Sequence, residues 1–107
     1  MQQITPLQLK AWLQDSTRNT PKLLDVREPA ELEICGLPQA QHIPMNDVPA
    51  RLPEIDKDAE LVVMCHHGGR SMQVAAFLER NGFAHIHNLS GGMDAWAREV
   101  DPSMRTY

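Results

Sequence analysis

The sequence predicts an α/β domain: a central, mostly parallel sheet with helices on both faces. Two observations point there. Short apolar runs alternate along the chain with amphipathic helical patterns, the order that parallel strands joined by crossover helices require. The most apolar run, Leu61-Val62-Val63-Met64, has no polar residue to turn toward water, so it fits a strand covered on both sides. The 107 residues are enough for one core, and residues 1–107 are expected to form a single domain.

Each element has a local reason. Thr5-Pro6 reads as an N-cap followed by proline at the first helical position. Leu9, Trp12 and Leu13 follow at helical spacing, which predicts a helix over residues 6–15. Lys22 to Val26 reads as a buried strand through Leu23, Leu24 and Val26. Glu28-Pro29 opens a short helix reaching Ile34, and Gln41 to Ile43 forms a short strand stopped by Pro44. Val48 to Ile55 has room for one helical turn, limited by Pro53. Glu60 to Met64 is the strongest strand. A helix over Ser71 to Asn81 carries Val74, Ala75, Phe77 and Leu78, and Asn81-Gly82 supplies its stop. His85 to Leu89 is a further strand. The last helix, Gly92 to Val100, lays Met93, Trp96, Ala97 and Val100 on one stripe and ends at Asp101-Pro102.

Composition excludes several classes. Hydrophobic residues at 42% and charged residues at 22% are globular values, not those of a disordered chain. A net charge of −4 leaves no basic footprint for nucleic acid. No apolar run is long enough to span a bilayer. The start, Met1-Gln2-Gln3-Ile4, lacks the basic and apolar regions of a signal peptide. Two cysteines make no disulfide framework. A cytoplasmic, reduced protein is expected, with no nucleic-acid or membrane partner, in which any important thiol acts by its reactivity.

The chemistry is expected just after Met64, because ligands of such sheets bind outside the carboxyl ends of the strands. Cys65-His66-His67-Gly68-Gly69-Arg70-Ser71 lies there, between the best strand and the best helix. A helix N-terminus offers unpaired N–H groups and a partial positive charge. Gly68 and Gly69 allow the loop to curl its amides inward into an anion nest. Arg70 adds a cation that can fork onto an oxyanion. A free thiol with pKa near 8.5 is only about 3% ionised at pH 7, and a drop of about two units makes thiolate the majority form. A lone cysteine after a strand reads as a small core residue. The paired glycines and the arginine, for which a plain connection has no need, favour a nucleophile instead.

The loop C-H-H-G-G-R-S resembles the active-site loop of rhodanese-type sulfurtransferases. Three further segments agree in order: Leu23-Leu24-Asp25-Val26-Arg27-Glu28-Pro29, Leu37-Pro38-Gln39-Ala40-Gln41-His42-Ile43-Pro44 and Asn88-Leu89-Ser90-Gly91-Gly92-Met93-Asp94-Ala95-Trp96. The resemblance covers residues 4–100. It implies a three-layer sandwich around a five-stranded sheet. It also implies that Cys65 takes the outer sulfur of a donor anion such as thiosulfate as a persulfide, then passes it to a thiol or cyanide. A thioredoxin-like protein is a candidate acceptor. The amides from His66 to Ser71 (through His67, Gly68, Gly69 and Arg70) would hold the charge, and Arg70 the sulfonate. No cofactor or metal is implied. Four residues separate Cys65 from Arg70. Cysteine-dependent phosphatases carry one more there, so the shorter loop favours sulfur over phosphate. A phosphatase or arsenate-reductase-like enzyme, and a non-catalytic sulfur-relay module, are the alternatives.

Departures from the family pattern limit what transfers. Cys35-Gly36 stands where the family often has Gly-His, and Gln39 replaces a glycine. Cys35 is either a second, resolving thiol or an incidental one. Arg27 either adds positive potential near Cys65 and binds substrate or anchors loops. Asp25 reads as structural, since a carboxylate beside a thiolate would disfavour its charge. His85 and His87 share a strand face without further ligands to make a metal site.

Overall fold

The computed structural model describes residues 1–107. Its strands are β1 (Gln2–Ile4), β2 (Lys22–Asp25), β3 (Gln41–His42), β4 (Leu61–Met64) and β5 (Ile86–Leu89). The helices are α1 (Pro6–Gln14), α2 (Pro29–Ile34), α3 (Gly69–Arg80) and α4 (Gly92–Glu99). All strand pairs are parallel, in the order β1-β5-β4-β2-β3. Thr5 caps α1 as its sequence implies: its hydroxyl accepts the Gln8 amide, and the Gln8 side chain accepts the Thr5 amide.

Alternation along the strands splits the apolar residues between two faces. Leu24, Val26, Val63 and Cys65 pack with Val74, Ala75, Leu78 and Phe83 on the α3 side. Leu23, Val62, Met64 and Leu89 pack with Leu9, Trp12, Met93 and Trp96 on the α1 and α4 side. All four residues of β4 are buried, which accounts for their unbroken apolarity.

Three details differ from expectation. β1 is a strand of three residues that gains its order from parallel pairing of Gln2, Gln3 and Ile4 with His87, Asn88 and Leu89. The turn expected over Val48 to Ile55 is a 3-10 segment, Pro49–Glu54, and a second one, Met45–Asp47, precedes it. α3 starts at Gly69, not Ser71, so Arg70 and Ser71 belong to its first turn. No helix is long and apolar enough to cross a membrane.

Candidate active site

Cys65 directly follows β4, and its Sγ lies where the connection to α3 closes on itself. Sγ accepts the Gly68 amide at 3.1 Å and the Ser71 amide at 3.4 Å, with the Ser71 hydroxyl 3.3 Å away. Gly68 makes this closure possible: its φ of +106° is one that other residues avoid. The loop carbonyls are anchored from outside. Met93 N–H donates to the Cys65 carbonyl at 2.9 Å, and Asp94 N–H to that of His66 at 3.0 Å. Within a trans peptide the C=O and the following N–H point opposite ways. Tying these two carbonyls to α4 therefore turns the His66 and His67 amides away from it. The N–H groups of His66, His67, Gly69 and Arg70 have no hydrogen-bond partner within the protein. Donors on Sγ and spare donors around it form a nest suited to an anion. Cys65 itself is only 1% exposed, at the floor of the loop.

Behind the sulfur runs a buried polar chain. The Ser71 hydroxyl, with one proton, has Asn88 Oδ1 at 2.5 Å and the Gly68 carbonyl at 3.2 Å. Asn88 Nδ2 donates to Gln3 Oε1 at 3.0 Å and to the Gly68 carbonyl at 3.3 Å. A neutral Cys65 can donate to Ser71 while Ser71 donates to Asn88. An ionised Cys65 can instead receive the Ser71 proton.

Two arginines sit at this end of the sheet, each with a carboxylate. Arg27 is fully buried, and its guanidinium donates to both oxygens of Asp25, to the Cys35 carbonyl and to Tyr107 Oη. Burial opposes its charge, but the bonds with Asp25 and Tyr107 outweigh that and raise its pKa. Arg70 forks onto Glu31 of α2 at 2.6 and 2.9 Å. That fork, with the Tyr107 hydroxyl donating at 2.7 Å, holds the Glu31 carboxyl well below the usual carboxylate range against the opposing effect of burial. Burial pushes the Tyr107 phenol up to about 12. Its ring stacks on His66 at 3.9 Å between centroids. Burial, then the neighbouring His67, lower the His66 pKa, so this imidazole stays neutral at neutral pH.

The structure thus places Cys65, His66, His67, Gly68, Gly69, Arg70 and Ser71 in one closed loop, with Gly68 and Ser71 bonded to its sulfur and Arg70 to Glu31, while the Arg27 side chain is turned into the interior network. His67 is exposed. Cys35 shares a tight cleft with His66, Arg105 and Tyr107, its sulfur 3.8 Å from Arg27 Nη1. His42 holds the Arg27 carbonyl at 2.7 Å, and His87 meets Glu60 at 2.9 Å. His66, His67 and Asp94 bring ligand atoms within 4.8 Å of one another. That set is short of the four ligands of a closed zinc site, and Asp94 already holds Arg98 at 2.7 Å. Glu31, Asn88 and Tyr107 were not singled out as site residues. Glu31 had a faint signal, three residues after Glu28, where its side chain accepts the Glu28 amide.

A cysteine thiol ringed by amides at the carboxyl edge of a parallel sheet defines a class of thiol-dependent anion site. The particular family follows from comparison with known proteins. Residues 5–99 match the rhodanese-like domain family, and the chain belongs to it. It is 45% identical over 80 residues to the putative sulfurtransferase YtwF of Bacillus subtilis, covering 75% of this chain and 77% of that one. It is 41% identical over 90 residues to the Rhodanese-like/PpiC domain-containing protein 12, chloroplastic, of Arabidopsis thaliana, covering 80% of this chain. There the match spans only 30% of the longer relative. The crystal structure of a rhodanese-like domain protein from Staphylococcus aureus superposes with a TM-score of 0.85 at 33% identity, covering all of this chain and 99% of that one.

Proposed function

We propose that this protein is a sulfurtransferase that moves a sulfane sulfur from a donor to a thiophilic acceptor through a persulfide on Cys65. The convergence of the Gly68 and Ser71 amides on Cys65 Sγ, with four more unpartnered amides in the same loop, supports the reading above all else. These donors favour negative charge on the sulfur, first as thiolate and then as persulfide.

In the first step the Cys65 thiolate attacks the outer sulfur of the donor. A new S–S bond forms as the donor's own bond to that sulfur breaks, and the leaving group departs with the electron pair. In the second step a thiolate or cyanide attacks the outer sulfur of the persulfide, and Cys65 leaves as thiolate. Spare amides hold charge on the transferred sulfur, and the Ser71 hydroxyl follows the charge on Sγ. His66, being neutral, contributes its amide and its stacking on Tyr107. A reducing, cytoplasmic setting suits two free cysteines, one of them the nucleophile.

Intact mass after incubation with a sulfane donor tests the reading. Wild type is expected to gain about 32 Da, one sulfur atom, and Cys65→Ser none. An adduct that survives the substitution, or hydrolysis of an aryl phosphate in preference to sulfur transfer, would overturn it.

A further inference from the structure

The loop's own cation is already engaged. Arg70 Nη1 and Nη2 meet Glu31 Oε1 and Oε2 in a two-bond fork. Glu31 cannot easily swing away, because its carboxylate also accepts the Tyr107 hydroxyl at 2.7 Å and the Glu28 amide at 3.0 Å. The other cations nearby do not substitute. Arg27 is buried on Asp25, and Arg98 is paired with Asp94. Arg105 borders a different cleft, against Cys35 and His66, and does not line the groove beside the loop. That groove, of about 320 Å³, is lined by Gln3, His67, Gly68, Gly69, Met72 and Asn88 among others, with no arginine or lysine. A donor in this groove therefore meets glycine backbone, an exposed imidazole and an apolar methionine but no cation, and the arginine of the same loop is held by Glu31.

We infer that Glu31 determines donor specificity, selecting the persulfide of a small thiol over a dianion such as thiosulfate; this rests on the sulfurtransferase reading. The two donors place their charge differently. With thiosulfate, Cys65–S⁻ plus S–SO₃²⁻ gives Cys65–S–S⁻ plus SO₃²⁻, so a dianion must enter and a dianion must leave a loop whose one arginine is held by Glu31. With a persulfide, Cys65–S⁻ plus R–S–SH gives Cys65–S–SH plus R–S⁻. With an uncharged R only one negative charge is carried through, and the organic group can rest in the groove without a cation. The Glu31 carboxylate repels the sulfonate and withholds the guanidinium fork that would bind it.

The test compares kcat/KM for thiosulfate and for the persulfide of 2-mercaptoethanol, whose organic group is uncharged, both with cyanide as acceptor, in wild type and Glu31→Gln. Wild type is expected to favour the persulfide by at least about tenfold. The substitution is expected to raise the ratio of thiosulfate to persulfide kcat/KM by about tenfold, mainly through the thiosulfate KM. A purely structural role for Glu31 would lower both donors together and leave the ratio fixed, which would overturn the inference. Equal use of the donors by wild type would overturn it too, even if Glu31→Gln does not fold. Failure of both donors to load Cys65 would instead overturn the sulfurtransferase reading.

Discussion

The chain makes the same local construction twice and uses it differently. After β4, Gly68-Gly69 opens α3; after β5, Gly91-Gly92 opens α4. In each case the first glycine is the N-cap and has positive φ, +106° at Gly68 and +75° at Gly91. In the second connection two of the first-turn amides are consumed, those of Met93 and Asp94 bonding the carbonyls of Cys65 and His66. In the first they converge on a sulfur or remain unpartnered. A glycine pair before a helix is therefore not in itself an anion site. The partner of each N–H decides, and one connection serves as the scaffold of the other.

The comparison breaks most visibly at the second glycines. At Gly92, φ is +61° and an added Cβ would run into the Cys65 and His66 carbonyls. Gly92→Ala is expected to cost about 3 kcal/mol or more and to abolish sulfur loading, as read by denaturant unfolding and intact mass. A smaller effect is expected at the sulfur's hydroxyl neighbour. Ser71→Ala keeps the amide but removes the proton shared with Asn88. It should slow alkylation of Cys65 by iodoacetamide at pH 7 by about tenfold. An unchanged rate would mean that the amides alone stabilise the charge. The smallest effect is expected at Gly69, where no atom lies within 4 Å of an added Cβ. Gly69→Ala should raise stability by about 0.4–1 kcal/mol in the same unfolding measurement. A destabilisation as large as that of Gly92→Ala would erase the distinction drawn between the two connections.

What could be read from sequence was local. The loop from Cys65 to Ser71 was legible because all its parts are contiguous, and the caps at Thr5-Pro6 and Glu28-Pro29 marked helix starts within a residue. β1 was not legible, since Gln2-Gln3-Ile4 is ordered by partners on β5. The early start of α3 was missed because two glycines and an arginine argue for loop, whereas Gly69 and Arg70 take helical geometry once Gly68 has turned the chain. The pairing of Arg70 with Glu31 spans 39 residues, and that of Arg27 with Tyr107 spans 80. Charge spacing along a sequence carries no information at that range. Arg27 shows the consequence: its position at a strand end allowed either a substrate contact or an anchor, and its guanidinium lies with Asp25 and Tyr107.

The bonds from Met93 and Asp94 also bear on how the molecule comes into being. They are supplied 28 residues downstream of the carbonyls they hold, from a segment that leaves the ribosome after the loop itself. Until that segment docks, the carbonyls that orient the loop are untethered, and its N–H groups have no fixed direction. The growing polypeptide thus carries its nucleophile without the environment that activates it, and reactivity arrives together with completion of the fold.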